Sequence, residues 1–334
     1  MRSGGTLLLF LYLCFIFSIV PSWAQVRYAT QTTWQATTTN SLWVFLHREK
    51  LLDASANSIL KGIDKTAVEG ILGTPQSVLE SADKAIWTYG LYLYDFYHVT
   101  FNREGVVEDT TKSRYRRYLR KELAWSNSLE IPDSNPQMAL GAWKTMMGEG
   151  FRTRDKTQVA VVAARVLKLD DTTARVESLF GKPDSVYDQS TQVLWTYCLG
   201  GSTFLQLAFL DKAFQGACIL YYNYQNGRRN LIPLCGTRDD HQPIDADVAC
   251  WLATCLRYNF GIERAGIGIR MSYHIKKGMT KAAVLALLGE SADKSSAFSY
   301  DTFNTSGFVI NFDQKELVSD VRLIGSVLKT DPEL

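Results

Sequence analysis

Residues 65–73 read Lys-Thr-Ala-Val-Glu-Gly-Ile-Leu-Gly, and a stretch of the same design returns at residues 173–181 and at residues 281–289. In each copy a valine is followed at the third and fourth positions by apolar residues, and a glycine comes next. This spacing places the apolar side chains on one stripe of a short helix, with Asp64 as its N-cap and Gly73 at its end. The interval between copies is 108 residues both times. A fixed long period indicates one folding unit in several copies.

Patterns typical of β-strands follow the capped helix in every copy. Alternating apolar runs begin at Ile86 and at Tyr97 in the first copy, and turn residues separate them. A second apolar stretch with helical spacing comes before each capped helix. We therefore predict an α+β fold of three tandem two-layer modules, each with two helices packed on a three-stranded antiparallel meander. Matched aromatic residues support the repeat, namely Trp87 and Trp195, Tyr89 and Tyr197, Phe101 and Phe209, and Trp143 and Trp251.

The first residues are typical of a secretory signal peptide. Arg2 precedes an apolar run from Thr6 to Val20, and Ser22-Trp23-Ala24 is a small-x-small cleavage pattern. The run is shorter than the roughly 20 residues that a membrane-spanning helix needs, so we expect cleavage after Ala24. Because Gln25, and not a cysteine, stands directly after that site, we expect a periplasmic or secreted protein that is not a lipoprotein. The predicted parts are the signal peptide (1–24), module 1 (25–113), a basic linker (114–137), module 2 (138–223), a second linker (224–240) and module 3 (241–334).

Composition narrows the class of protein. Of the 334 residues 46% are hydrophobic, which is enough for modules with real cores, and the net charge of +2 points to no charged partner. The export signal argues against nucleic acid as a partner. Five cysteines follow the signal peptide, so at least one thiol lies outside any intramolecular bridge. For Cys198 and Cys218, a disulfide and a role as small buried hydrophobic residues both stay open.

Residues that carry catalysis are few and scattered. None of the four histidines lies in a nucleophile, zinc or acid–base motif, and no phosphate-binding glycine loop is present. We therefore predict neither an enzyme nor a cofactor. The histidines are His47, His98, His241 and His274.

One acidic stretch has the composition of a calcium site, because oxygen ligands at such spacing can hold the ion. The same residues also fit a solvated linker in which Asp245 or Asp247 caps the next helix, and we adopt this second interpretation. No metal site is therefore predicted. The stretch contains Asp239, Asp240, His241, Asp245 and Asp247.

A group of aromatic residues is the strongest candidate for partner binding. If Trp87 and Phe101 face the core, the rings between them lie at a hairpin tip or on the outward face of the sheet. Exposed clustered aromatics are typical anchors for a protein partner. The alternative is that some of them fold back and complete the core. The group consists of Tyr92, Tyr94, Phe96 and Tyr97.

The strongest local run of positive charge in the sequence is a second candidate site. As a functional site it would contact an anionic surface such as phospholipid headgroups or acidic glycans. The alternative is a helix that lays its basic side chains over the neighbouring module. The run consists of Arg114, Arg116, Arg117, Arg120 and Lys121.

The stretch from Lys277 to Gly289, Lys-Gly-Met-Thr-Lys-Ala-Ala-Val-Leu-Ala-Leu-Leu-Gly, resembles the SmpA/OmlA family of BamE-like outer-membrane assembly lipoproteins. Gly73-Thr74-Pro75 and Trp87-x-Tyr89 are similar to the family as well, and the β-lactamase-inhibitor proteins are similar in their tandem plan. The family's members carry one module and an acylated cysteine, whereas this chain has three copies and no such cysteine.

The resemblance implies a two-helix, three-stranded module and no catalytic residues. It implies a non-catalytic binding protein of the bacterial cell envelope, whose tandem modules mediate protein–protein interaction in outer-membrane assembly or maintenance. One alternative is a structural envelope protein that docks on anionic lipid or cell wall through the basic linker. The other is a secreted enzyme inhibitor.

Overall fold

A computed structural model describes residue 59 and residues 61–91, 95–115, 135–147, 156–189, 192–200, 202–236, 243–255, 261–291, 297–303 and 306–324. The chain divides into two compact units, residues 1–114 and residues 115–334. The predicted signal peptide and the first predicted helix of module 1 lie outside the described residues.

The first unit contains one described helix and a four-stranded antiparallel sheet with strand order β1-β2-β3-β4. Val68 and Leu72 of the helix are buried against Trp87 and Phe101 of the sheet, whose ring centroids lie 4.9 Å apart. This is the packing that the apolar stripe predicts. The elements are α1 (Lys65–Leu72), β1 (Ser77–Glu80), β2 (Ala85–Gly90), β3 (Asp95–Phe101) and β4 (Val107–Arg114).

The second unit contains six described helices and two antiparallel sheets, one of five strands and one of three. Its first part holds α2 (Pro136–Met147), α3 (Thr157–Ala163), α4 (Thr173–Phe180), β5 (Ser185–Gln189), β6 (Gln192–Gly200), β7 (Thr203–Leu210), β8 (Ala213–Tyr222) and β9 (Arg229–Gly236). Its second part holds α5 (Pro243–Cys255), α6 (Gly261–His274), α7 (Lys281–Leu288), β10 (Ala297–Phe303), β11 (Ser306–Phe312) and β12 (Val318–Ile324).

The prediction of two helices on a three-stranded meander in each module was wrong. The sheets have four, five and three strands, and each copy in the second unit contributes three described helices. Short edge strands, β1 and β5, precede the predicted meanders in the first two copies. Strand β9 lies within the predicted second linker, where exposed Pro233 fits because an edge strand needs no N–H donor on its open side.

The 108-residue repeat is confirmed at the level of atomic contacts. The glycines at the ends of α1, α4 and α7 have φ of 77°, 76° and 74°, a left-handed conformation that favours glycine. Asp64, Thr172 and Thr280 cap the same three helices through their side-chain oxygens. Trp143 Nε1 donates to the Phe180 carbonyl at 3.0 Å, and Trp251 Nε1 donates to the Leu288 carbonyl at 2.9 Å.

Helix α5 lies between the two sheets of the second unit. One side of it packs on the five-stranded sheet, where Cys250 and Ala246 contact Gln206 of β7. On the other side, Trp251 packs against Tyr300 and Phe308 of the three-stranded sheet. Strands β6, β7 and β8 are therefore buried on both faces along most of their length. One hydrophobic core therefore contains residues of β6, β7 and β8 from the second copy together with residues of the third copy.

Candidate functional site

A buried carboxylate organises the junction between the five-stranded sheet and helices α5 and α6. Asp247 on α5 is completely buried. Its Oδ1 accepts a hydrogen bond from the Tyr222 hydroxyl at 2.7 Å and lies 3.6 Å from Nη1 of Arg229. Its Oδ2 accepts from Nε of Arg270 at 2.9 Å and lies 2.7 Å from Nε2 of His274. We call these five residues the Asp247 cluster.

The protonation states follow from these contacts. Burial by itself would raise the pKa of Asp247, but the hydrogen bonds from His274, Tyr222 and Arg270 and the charge of Arg229 outweigh it and hold the pKa below its usual value. The pKa of Tyr222 lies well above its usual value, chiefly because of burial and then because of the Asp247 charge. The cluster therefore holds a carboxylate anion and a neutral phenol. Asp247, which the sequence marked as a metal or capping candidate, is paired with cationic side chains.

Beside the cluster, residues 223–228 form the turn between β8 and β9. The turn is closed by hydrogen bonds from the Asn223 N–H to the Arg228 carbonyl at 2.9 Å and from the Gly227 N–H to the Asn223 carbonyl at 2.8 Å. Gly227 has φ of 69°, and a Cβ there would lie 2.8 Å from the backbone nitrogen of Arg270. The turn is thus seated directly on the backbone of α6, and only glycine fits at the point of contact.

Helix α6 approaches the end of β8 just as closely. A Cβ at Gly266 would lie 2.6 Å from the Tyr222 carbonyl oxygen. The outer side of the turn is open to solvent, where Tyr224 is 42% exposed and Gln225 and Arg228 are also exposed. A rigid base therefore supports an exposed aromatic residue and an exposed arginine. We call residues 223–228 the braced turn.

The two short edge strands form a second candidate surface. Residues 77–80 read Ser-Val-Leu-Glu and residues 185–188 read Ser-Val-Tyr-Asp, at equivalent positions of the repeat. Val78 is 41% exposed and Val186 is 53% exposed. Each strand pairs on one side only with a described strand, β1 with β2 and β5 with β6. The same apolar side chain is therefore exposed on the same edge in two copies.

A histidine with a hydroxyl on each side lies within the first sheet. His98 is completely buried, its Nδ1 lies 3.0 Å from Oγ1 of Thr88, and its Nε2 lies 2.7 Å from Oγ of Ser113. Burial lowers its pKa to about 3, so the ring is neutral and a weak base at neutral pH. In the next copy Gln206 occupies the equivalent position and donates to Oγ1 of Thr196 at 3.3 Å. The shared role is a cross-strand hydrogen bond, for which an amide serves as well as an imidazole.

The structure describes two of the four residues of the predicted aromatic site, and both are buried. Phe96 is completely buried and Tyr97 is 7% exposed, so neither ring is an exposed anchor. Tyr97 packs in the core of the first unit with Trp87, which agrees with the alternative that some rings complete the core. Tyr92 and Tyr94 lie outside the described residues, and their role in partner binding stays a prediction.

The predicted basic site is described at one residue. Arg114, at the end of β4, forms two hydrogen bonds with the carboxylate of Asp95 on the neighbouring strand, both 2.8 Å long. Its side chain remains 65% exposed. The other members, Arg116, Arg117, Arg120 and Lys121, lie outside the described residues, and contact with an anionic surface stays a prediction.

The described residues include four cysteines but no clustered metal ligands. No group of metal-ligating side chains lies together in the part of the chain that the structure describes. Asp239, Asp240 and His241 lie outside it. Cys198, Cys218 and Cys250 are buried and Cys235 is half-buried, all four as thiols. This agrees with the interpretation of Cys198 and Cys218 as small buried residues.

Sequence reasoning missed the braced turn and the edge strands. The Asn226-Gly227 pair was a signal for a hairpin turn, and the repeated Ser-Val pair at residues 77 and 185 was a signal for a common surface. Within the described ranges, no helix combines the length and the apolar character needed to cross a bilayer. No family model, curated protein or solved structure matches the chain.

Proposed function

We propose that this chain is a non-catalytic, exported binding protein of the cell envelope that acts through protein–protein interaction. Its resemblance to the SmpA/OmlA family supports this proposal, as does the signal-peptide pattern of residues 1–24. The buried histidine supports it too, because Gln206 replaces His98 in the next copy and an amide cannot act as a general base.

The repeated exposure of one valine is the observation that carries the proposal. Val78 and Val186 are apolar and exposed on edge strands whose neighbours in the sheet are buried. Such an edge offers backbone N–H and C=O groups to an extended segment of a partner, and the exposed side chain adds apolar contact. Because two copies carry the same edge, two segments of one partner can bind with gain from avidity.

Affinity capture with edge variants tests the proposal. The mature chain is immobilised, and proteins are captured from an envelope fraction of the source cells at low and at high salt. We expect one defined protein that is retained at high salt, because backbone and apolar contacts are insensitive to screening. Val78→Lys and Val186→Lys each reduce its capture, and the double variant abolishes it.

Leu169→Lys is the matched control, because Leu169 is 58% exposed but lies on neither edge strand. It leaves capture unchanged if the edge strands are the binding surfaces. Equal capture by the double variant and the wild type would contradict the proposal. Capture that disappears at high salt and does not respond to the valine variants would favour docking on an anionic surface through the basic linker.

A further inference from the structure

We infer that the braced turn is a preorganised contact for an acidic protein surface, separate from the edge strands. The turn exposes side chains that are typical of protein interfaces. Tyr224 is 42% exposed, and exposed Gln225 and Arg228 lie on the same turn. Tyrosine and arginine are enriched among the residues that dominate binding energy at protein interfaces.

The turn is also held rigidly. In addition to the backbone bonds, the Asn223 and Asn226 side chains accept from the Gln225 and Arg228 N–H groups at 2.8 and 3.0 Å. Gly227 contacts the backbone of α6 at a distance that excludes any side chain. A surface that is held in one conformation loses little entropy when a partner binds, which raises affinity without additional contacts.

The surroundings of the turn carry a net positive charge. The turn is flanked by Tyr222 and Arg229, both members of the Asp247 cluster, and Arg270 lies beneath it. Arg228, Arg229 and Arg270 carry three positive charges against the single negative charge of Asp247, so this set has a surplus of two. The side chains of Arg229 and Arg270 are 12% and 17% exposed. Arg228 presents its charge to solvent, and the surplus charge behind it adds a positive field, so the turn favours carboxylates. Charge complementarity of this kind sets specificity and association rate.

The inference is tested with a fluorescein-labelled decaglutamate peptide as the probe, with binding to the mature chain followed by fluorescence anisotropy. We expect Tyr224→Ser and Arg228→Ser each to weaken binding by about tenfold, as the loss of one interface anchor does. The control Lys168→Ser removes another exposed positive charge, outside the braced turn, and changes binding less than twofold.

Gly227→Ala tests rigidity, because it keeps every exposed side chain and displaces the turn from α6. We expect weaker binding from this variant as well. Equal losses in Lys168→Ser and Arg228→Ser would overturn the inference, as would no binding of the peptide by the wild type. Binding to phosphatidylglycerol vesicles with no binding to the peptide would also overturn it.

The proposal for the edge strands and the inference for the braced turn are tested by different variants. Val78→Lys and Val186→Lys leave binding of the decaglutamate peptide unchanged if the braced turn is the site. The turn variants therefore report on this inference, whereas the valine variants report on the edge strands.

Discussion

Acid should destabilise the first sheet through His98, and the size of the effect follows from the structure. Burial lowers the pKa of His98 from 6.5 to about 3. As the pH falls through 6.5, the unfolded chain binds a proton at this site, whereas the folded chain does not until the pH nears 3. The stability that comes from keeping this ring neutral is therefore complete near neutral pH and is lost as the pH falls between these two values.

The loss between pH 7 and pH 5 amounts to about 2 kcal/mol, because the unfolded site is almost fully protonated at pH 5 and the folded site is not. Aspartate and glutamate residues also respond to pH, so the comparison needs a variant without the histidine. His98→Gln supplies it, because glutamine occupies the equivalent position in the next copy and bonds to the matching threonine. We expect the wild type to lose about 2 kcal/mol more than His98→Gln over this interval.

The assay is hydrogen exchange measured by mass spectrometry across a urea series at pH 5 and at pH 7, with rates corrected for intrinsic pH dependence. Peptides that contain β2 and β3 report the unfolding of the first sheet. Peptides that contain β7, with Gln206 at the equivalent position, are an internal reference that the substitution leaves unchanged. An equal loss of stability in the wild type and His98→Gln would refute the reasoning.

Two further predictions concern buried polar groups of the second unit, and urea unfolding followed by circular dichroism checks both. Asp247→Asn should destabilise the chain by about 3–5 kcal/mol, because it leaves buried cationic groups without their anion; exposed Asp320→Asn, the control, should stay within about 0.5 kcal/mol. Trp251→Phe should cost about 1–3 kcal/mol, because the Leu288 carbonyl loses its indole donor, and a loss under about 0.3 kcal/mol would contradict that account.

The capped helices could be predicted from sequence because their signals are local. The apolar stripe, the N-cap and the glycine lie within ten consecutive residues, and α1 extends from Lys65 to Leu72 as the pattern indicates. The meander strands were recognised for the same reason, since β3 covers most of the alternating run that begins at Tyr97. The edge strand Ser77–Glu80 was missed because four residues after a proline are too short for a periodic signal.

The layer arrangement could not be read in the same way. Helix α5 is apolar on nearly all sides because it contacts a sheet on each side, and one sequence gives no indication of the second contact. The Asp247 cluster was visible only as a cluster of acidic residues. Its partners come from β8, β9 and α6, and those separations in sequence are bridged only by tertiary packing.

The shared position of α5 has a consequence for how the chain can be divided. The helix is the first element of the third copy of the repeat, yet it covers one face of the sheet of the second copy. A fragment that ends at residue 240 keeps β5 to β9 but lacks the helix that covers one face of this sheet. Phe204, Cys218 and Leu220 are then exposed to solvent. Such a fragment should aggregate, whereas a fragment that continues through α7 keeps α5 over this face of the sheet. The boundaries of the 108-residue repeat therefore differ from the boundaries of the fragments that can fold on their own.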